Sequence, residues 1–197
     1  MILSTFPKLF GALVNLRELS AEDAQDMTHL MNYNISKYLY NVPVPYSVQD
    51  ALNFIKSSHS DFKSLTGLHF AIEYRRGKSE PRSNNNLLFV GSIGLKNIDL
   101  VNKKANLGYW IGEQYWNRGI ATECVRLMID YALSSQLALN EISAYVFPEN
   151  KASIQVLEKN GMRSNGEVNE YHEMSKSYRK SLKYVILKTE RRVNNTN

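Results

Sequence analysis

Cysteine is almost absent from the 197-residue chain: Cys124 stands alone, so no disulfide can form within it, a usage that fits a reducing cytoplasm. Long hydrophobic runs are missing too. Nothing approaches the ~20 consecutive apolar residues of a membrane-spanning helix, which argues against a membrane protein. Met1–Leu13 carries Lys8 late and offers no small-residue cleavage site, so it reads as a terminal arm rather than a signal peptide. Internal repeats and low-complexity linkers are absent, which leaves a single domain over residues 1–190 and a flexible tail over 191–197.

What is present is ordinary for a globular protein, with 43% hydrophobic and 22% charged residues. The net charge of +5 comes from 24 basic against 19 acidic residues, an excess that suits a phosphate-rich small molecule. Part of it is terminal, in Lys188, Arg191 and Arg192, and this tail does not make a case for nucleic-acid binding. Cys124 falls on the apolar face of a helical pattern and reads as a small buried hydrophobe.

The chain is organised around Leu107–Cys124. Leu107-Gly-Tyr-Trp-Ile111 is apolar and aromatic, as a strand should be, and Ile120, Cys124, Leu127, Met128 and Tyr131 then recur at helical spacing. A strand that turns sharply into a helix aims the first N–H groups of that helix at one point, where the positive dipole end favours an anion such as a phosphate. Glycine near a helix start is also common without any ligand. No Lys-Ser/Thr pair follows Gly119 and no Gly-x-Gly-x-x-Gly pattern occurs, which removes the nucleoside-triphosphatase loop and the dinucleotide fingerprint.

Read in order, Val14–Leu19 alternates as a half-buried strand, and Ser20-Ala-Glu-Asp23 opens a helix toward His29 and Tyr33 with a variant capping box. Tyr38–Tyr46, with Pro43 and Pro45, is a rigid aromatic loop. A second box, Ser47-Val-Gln-Asp50, starts a helix through Ile55 to His59. Leu68–Tyr74, Leu87–Leu95 and the strand at Leu107 form an antiparallel meander, whose first hairpin has a long, mobile tip over Arg75–Asn86. The central helix runs to about Ser135. Glu141–Val146 is the next strand, and a helix between two strands implies a right-handed crossover and a parallel pair. Asn150 caps a shorter helix closed by Gly161, Arg163–Glu173 is polar, and Leu182–Leu187 is the last strand. His29, His59 and His69 have no partner recognisable from spacing and read as surface or core residues.

Several stretches together resemble one family, the GNAT superfamily of acyl-CoA-dependent N-acyltransferases, and within it the branch of bacterial ribosomal-protein N-terminal (alanine) acetyltransferases. They are Leu16–Ala24, Val90-Gly-Ser-Ile-Gly-Leu95, Leu107–Gly112, Tyr115-Trp-Asn-Arg-Gly-Ile-Ala-Thr-Glu123, Val146–Ile154 and Leu157–Gly161. The resemblance implies an α/β (α+β) fold: one mixed, mostly antiparallel sheet of about six to seven strands, splayed between the fourth and fifth, and flanked by about four helices. It also implies acetyl-CoA as co-substrate, no metal, and an amine acceptor, either a protein N-terminal α-amine or a small amine. The alternative is a non-catalytic CoA-binding sensor or interaction module of the same fold. Nucleic acid and membrane are not implied partners.

By the same resemblance, Trp116, Asn117, Arg118, Gly119, Ile120, Ala121 and Thr122 cradle the CoA pyrophosphate through backbone amides. Trp116 departs from the Gln/Arg usual at its position. Tyr109, Trp110 and Ile111 border the pantetheine cleft, with a backbone N–H near Trp110 or Ile111 as oxyanion donor. Asn150 reaches toward the pantetheine or caps its helix, and it can do both. Ser153 is the candidate proton donor to the leaving thiolate; a first-turn serine can equally bond the backbone, and water can protonate a thiolate whose thiol pKa is ~8.5. Glu170 and His172, with Glu173, are the candidate bases on the acceptor side. Lys180 stands where the family commonly has an acidic residue, and the Tyr38–Tyr46 loop forms either the acceptor wall or a self-packed structural loop.

Overall fold

Strands flanked by apolar residues on both faces belong in the middle of a sheet, and the Gly67–Arg75 and Leu87–Asp99 segments are of that kind: Leu68, His69, Phe70, Ala71 and Ile72 are buried in succession, as are Val90 and Ile93. The computed structural model describes residues 5–76, 87–172 and 176–193, apart from the side chains of residues 170, 172, 192 and 193. In chain order the elements are β1 (Leu9–Phe10), β2 (Val14–Glu18), α1 (Asp23–Leu30), α2 (Tyr33–Ser36), α3 (Val48–Ser64), β3 (Gly67–Arg75), β4 (Leu87–Asp99), β5 (Lys104–Ile111), α4 (Ile120–Leu133), β6 (Glu141–Val146), α5 (Lys151–Lys159), β7 (Arg163–His172), β8 (Ser177–Leu187) and α6 (Lys188–Val193). The strands form one sheet in the order β1-β2-β3-β4-β5-β6-β8-β7, antiparallel except for β5 and β6. The α/β class expected from sequence holds.

Eight strands and six helices are described, against about six to seven and about four expected. The extra strands are edge strands, where hydrophobic alternation is weakest. β1 comes from the terminal arm, and β7 is mostly solvent-exposed because only β8 flanks it. The helix opened at Ser20 ends at Leu30, because Asn32 restarts the chain as α2 by accepting the Ile35 N–H at 3.1 Å. Only half of the first capping box forms: the Asp23 carboxylate accepts the Ser20 N–H at 2.8 Å while Arg17 clamps it at 2.7 and 2.8 Å. The Ser47–Asp50 box is complete, and its helix continues past His59 to Ser64. Residues 1–4 of the arm and 77–86 of the hairpin tip lie outside the described residues. No helix among the described residues is long and apolar enough to cross a membrane.

Two cores cover the two faces of the sheet. The larger packs α4 and α5 against β2–β6, with Phe70, Ile93, Leu107, Cys124, Met128 and Ile129 buried. The smaller packs α1 and α3 against the other face through Leu19, Met27, Ala51, Ile55, Ala71 and Phe89. Gly161 closes α5 at φ 82°, and Arg191 of α6 docks on Asp130 of α4 at 2.7 Å.

The arm is held by one side chain. The carboxylate of Glu123, in the first turn of α4, accepts the N–H groups of Ala12, Leu13 and Val14 at 2.7, 2.7 and 3.1 Å. Hydrogen bonds to a charged acceptor are worth about 1.5–3 kcal/mol each before coupling, and truncation strands all these donors together. Glu123→Ala is therefore expected to lower stability by roughly 2–4 kcal/mol in urea unfolding, and Glu123→Gln by less, since an amide oxygen still accepts.

Candidate active site

Parallel pairing of β5 with β6 runs from Lys104 opposite Glu141 to Leu107 opposite Ala144 and stops there. Beyond that point β5 follows β4, with Ile111 opposite Gly91, and β6 follows β8, with Val146 opposite Leu182. The strands therefore splay. Gly112 donates its N–H to Val90 O at 2.8 Å, so the alternation of an antiparallel ladder turns the N–H groups of Gly108 and Trp110 toward β4. Those of Tyr109 and Ile111 face the gap. Of the two oxyanion donors expected from sequence, Ile111 has the geometry and Trp110 does not.

At the end of β5 the chain passes through Asn117 at φ 60° and Gly119 at φ 78° before entering α4. The first N–H of this helix to find an intrahelical partner is that of Glu123, on Gly119 O at 3.0 Å, which leaves those of Ile120, Ala121 and Thr122 pointing out of the helix end. Trp116 does not grip a ligand with its ring nitrogen: its Nε1–H is donated to Ile111 O at 2.8 Å, tying the loop to the lip of the splay. Arg118 Nη2 donates to Gln114 O at 3.0 Å, and Lys159, next to Asn160 whose amide donates to Thr122 O, adds positive charge to the same end, while Lys151 borders the cavity from the other end of α5. A cavity of about 1140 Å³ runs from this loop through the splay to the opposite face of the sheet.

On the α4 and α5 face, Tyr109 Oη lies 2.9 Å from Ser153 Oγ. Burial pushes the phenol up to about 12, against a lowering by the Ser153 hydroxyl. Asn150 is the N-cap of α5, its Oδ1 accepting the Ser153 N–H at 3.2 Å. On the α1 and α3 face, Gly108 leaves open space, since a Cβ there would meet nothing within 4 Å. His69, only 5% exposed, borders the same cavity, with Nε2 3.3 Å from Asp61 Oδ2. Burial and then the Lys96 ammonium lower the pKa of His69, and Asp61 only partly offsets them.

The matching family model is described as "Acetyltransferase (GNAT) domain" and spans residues 14–163. The chain belongs to the GNAT acetyltransferase family. Among similar proteins, the uncharacterised N-acetyltransferase YoaA of Bacillus subtilis is 27% identical over 84% of this chain and 88% of that protein. The same bacterium's putative ribosomal N-acetyltransferase YdaF is 26% identical over 90% and 92%. Spermidine N(1)-acetyltransferase of Escherichia coli is 25% identical over 88% and 85%. The structure of Mycobacterium smegmatis RimJ in complex with CoA-disulfide superimposes with a TM-score of 0.78 at 23% identity, over 93% of this chain and 87% of that one.

The GNAT residues expected from sequence converge. Tyr109, Trp110, Ile111, Trp116, Asn117, Arg118, Gly119, Ile120, Ala121, Thr122, Asn150 and Ser153 all border the one cavity. The backbone of Glu170 and His172 lies in β7, opposite Arg179 and Ser177, while their side chains and the whole of Glu173 fall outside the described residues. Lys180 pairs with Glu167 at 2.7 Å across β7 and β8. The Tyr38–Tyr46 loop both borders the cavity and is fixed structurally: the Tyr40 hydroxyl bonds that of Ser181, and Arg179 donates to Lys37 O at 3.2 Å.

Sequence reading missed Tyr109's hydroxyl partner and the histidines' partners. His59 Nε2 sits 2.7 Å from Leu19 O, and His69 meets Asp61. Asp61 and His69 stand on a helix and the next strand, so no helical or strand period links them. The available signal was a polar residue inside the buried run Leu68–Ile72.

The lowered pKa of His69 has a sign. Unfolded, the imidazole takes a proton below about pH 6.5; folded, it resists until a lower pH, so stability is full above 6.5 and falls as pH drops through the interval. Thermal unfolding between pH 7.5 and 5 should show the wild type losing stability more steeply than His69→Gln, by up to about 1.4 kcal/mol per pH unit.

Proposed function

We propose that this chain transfers the acetyl group of acetyl-CoA directly to a primary amine in the cytoplasm, and that its preferred acceptor is a protein N-terminal α-amine. The observation that carries the reading is the splay of β5 from β6, with an anion-gripping helix start at one end and an open cavity at the other. The residues suit the cofactor. The backbone donors of Ile120–Thr122 with Arg118 and Lys159 match a pyrophosphate, and the gap-facing N–H groups of Tyr109 and Ile111 match the amide-rich pantetheine arm. When bound, acetyl-CoA supplies an activated acyl carbon.

The chain then has to orient, polarise and manage protons. Of the gap-facing N–H groups, that of Tyr109 or Ile111 not taken by a pantetheine amide donates to the acyl oxygen as charge develops there. Tyr109 stays neutral at pH 7, and a phenol near 12 does not hand its proton fully to a thiolate whose conjugate pKa is ~8.5. Its role is to donate a hydrogen bond to the departing sulfur, with Ser153 orienting the hydroxyl; the proton itself arrives from water. Ser153 thus acts through Tyr109.

Charge around the cavity favours the α-amine over a polyamine. Its acidic side chains among the described residues are Glu113 and Glu149, and Glu113 already accepts from Asn32 and Asn34, whereas Lys37 and Lys96 border the same acceptor side. A multiply charged amine finds few carboxylates there. Similarity to a protein named as a ribosomal N-acetyltransferase supports the same choice, although a spermidine acetyltransferase is also a relative.

Incubation with acetyl-CoA and a panel of N-terminal peptides, spermidine and aminoglycosides, with released thiol followed over time, should show transfer to peptides ahead of polyamines. Tight acetyl-CoA binding in calorimetry without transfer to any acceptor would instead establish the non-catalytic binding module. Tyr109→Phe is expected to cut kcat on the order of tenfold with the acetyl-CoA affinity nearly unchanged. Gly119→Val should weaken acetyl-CoA binding by at least that factor, because φ 78° is strained for a β-branched residue.

A further inference from the structure

One row of residues crosses the sheet from His69 to the splay. His69 on β3 is opposite Gly94 on β4, and Gly94 is opposite Gly108 on β5, one residue past the last β5–β6 pair. Two glycines in succession leave this row without side chains, and the imidazole lies in the slot: a Cβ on Gly94 would fall 2.8 Å from His69 Nδ1. Over Gly108 the slot is open. Asp61 Oδ2, 3.3 Å from Nε2, accepts the Nε2–H, which leaves Nδ1, beside Gly94, as the unprotonated nitrogen of a residue that borders the cavity. Tyr131 Oη is the sole sealed-in side-chain polar atom without a partner among the described residues, so Nδ1 is not one.

The two faces of the splay are thereby distinct. Tyr109, Ser153 and the anion loop lie with α4 and α5, while Gly108, Trp110 and His69 lie with α1 and α3. The open slot over Gly108 gives an amine a path to the acyl carbon from the His69 side.

We propose that His69 accepts the proton of the acceptor ammonium through a water held over Gly108, with Asp61 as the residue that sets its tautomer. The role rests on the acetyl-transfer reading above. Gly94 and Gly108 form a hydrogen-bonded pair, about 5.5 Å apart, the span of one bridging water. In the step, one N–H bond of the ammonium breaks, its electron pair stays on nitrogen, and the proton passes by the water to Nδ1 and then to solvent. The nitrogen pair forms the bond to the acyl carbon, the C–S pair leaves on sulfur, and the second amine proton follows to water. The charged groups facing the imidazole are Asp61 from α3 and Lys96 from β4; Asn106 and Gly108 from β5 are uncharged. Held neutral, the imidazole is a weak base that suits an α-amine of pKa ~7.7–8.0 far better than a lysine or polyamine near 10.4.

With an N-terminal peptide as acceptor, His69→Gln should lower kcat about a hundredfold and move the acidic limb of the pH–rate profile up to that of the amine itself, at ~7.7–8.0, with acetyl-CoA affinity within twofold of wild type. Asp61→Asn should give a smaller loss in the same direction. Gly108→Val, which fills open space and so should fold, should block transfer while leaving acetyl-CoA affinity intact. Nitrogen-15 spectra of the imidazole, independent of turnover, should show the Nε2–H tautomer. An active wild type with a His69→Gln variant of equal rate and unchanged limb, or an Nδ1–H tautomer, overturns this role alone. A wild type inert toward every amine overturns the transfer reading together with it.

Discussion

Everything at the site depends on one ladder that ends early. β5 and β6 pair for four residues each and then part, and neither is left loose, because β4 holds β5 as far as Ile111 and β8 holds β6 as far as Val146. At Gly91 a Cβ would come within 2.2 Å of Trp110 O, so the approach of β4 to the far end of β5 requires glycine there. The backbone groups that line the gap would cost free energy if they were buried without partners, and opening the gap to a cavity keeps them available to water or to a ligand's amides. The fold supports this break because a ladder on the outer side of each strand holds it in place.

Parting the strands turns one sheet into two working surfaces joined by a slot. The side-chain period of two sends Tyr109 to one face and Gly108 and Trp110 to the other, so neighbouring residues of a single strand face opposite sides of the slot. Positive charge from Arg118 and Lys159 collects at the phosphate end, and the His69–Asp61 pair sits across the sheet.

The cofactor half of this arrangement could be read from the chain, and the acceptor half could not, for a physical reason. Asn117 to Thr122 present a backbone geometry set by local sequence, and Gly119 signals its positive φ in any context. The strand and helix around them follow from periodicity alone, as does the Asn150 cap. His69 acquires its meaning only from cross-strand register, through Gly94 to Gly108, and from a helix residue eight positions earlier. The same limit explains β1 and β7, whose edge positions erase the alternation that marks interior strands.

Pre-organisation ties these levels together. The anion loop is clamped at its start by the Trp116 indole on Ile111 O, across its turn by Arg118 on Gln114 O, and one helical turn later by Glu123 on the arm. Leu13, held by that carboxylate, packs beneath Gly119, its Cδ1 being 3.7 Å from where a Cβ would sit. A loop fixed in this way has its N–H groups converging before any anion arrives, so binding does not lose the ordering free energy that a slack glycine loop would. Trp116, the residue that departs from the family pattern, commits its indole N–H to Ile111 O and so makes the lip of the splay and the anion loop one rigid unit.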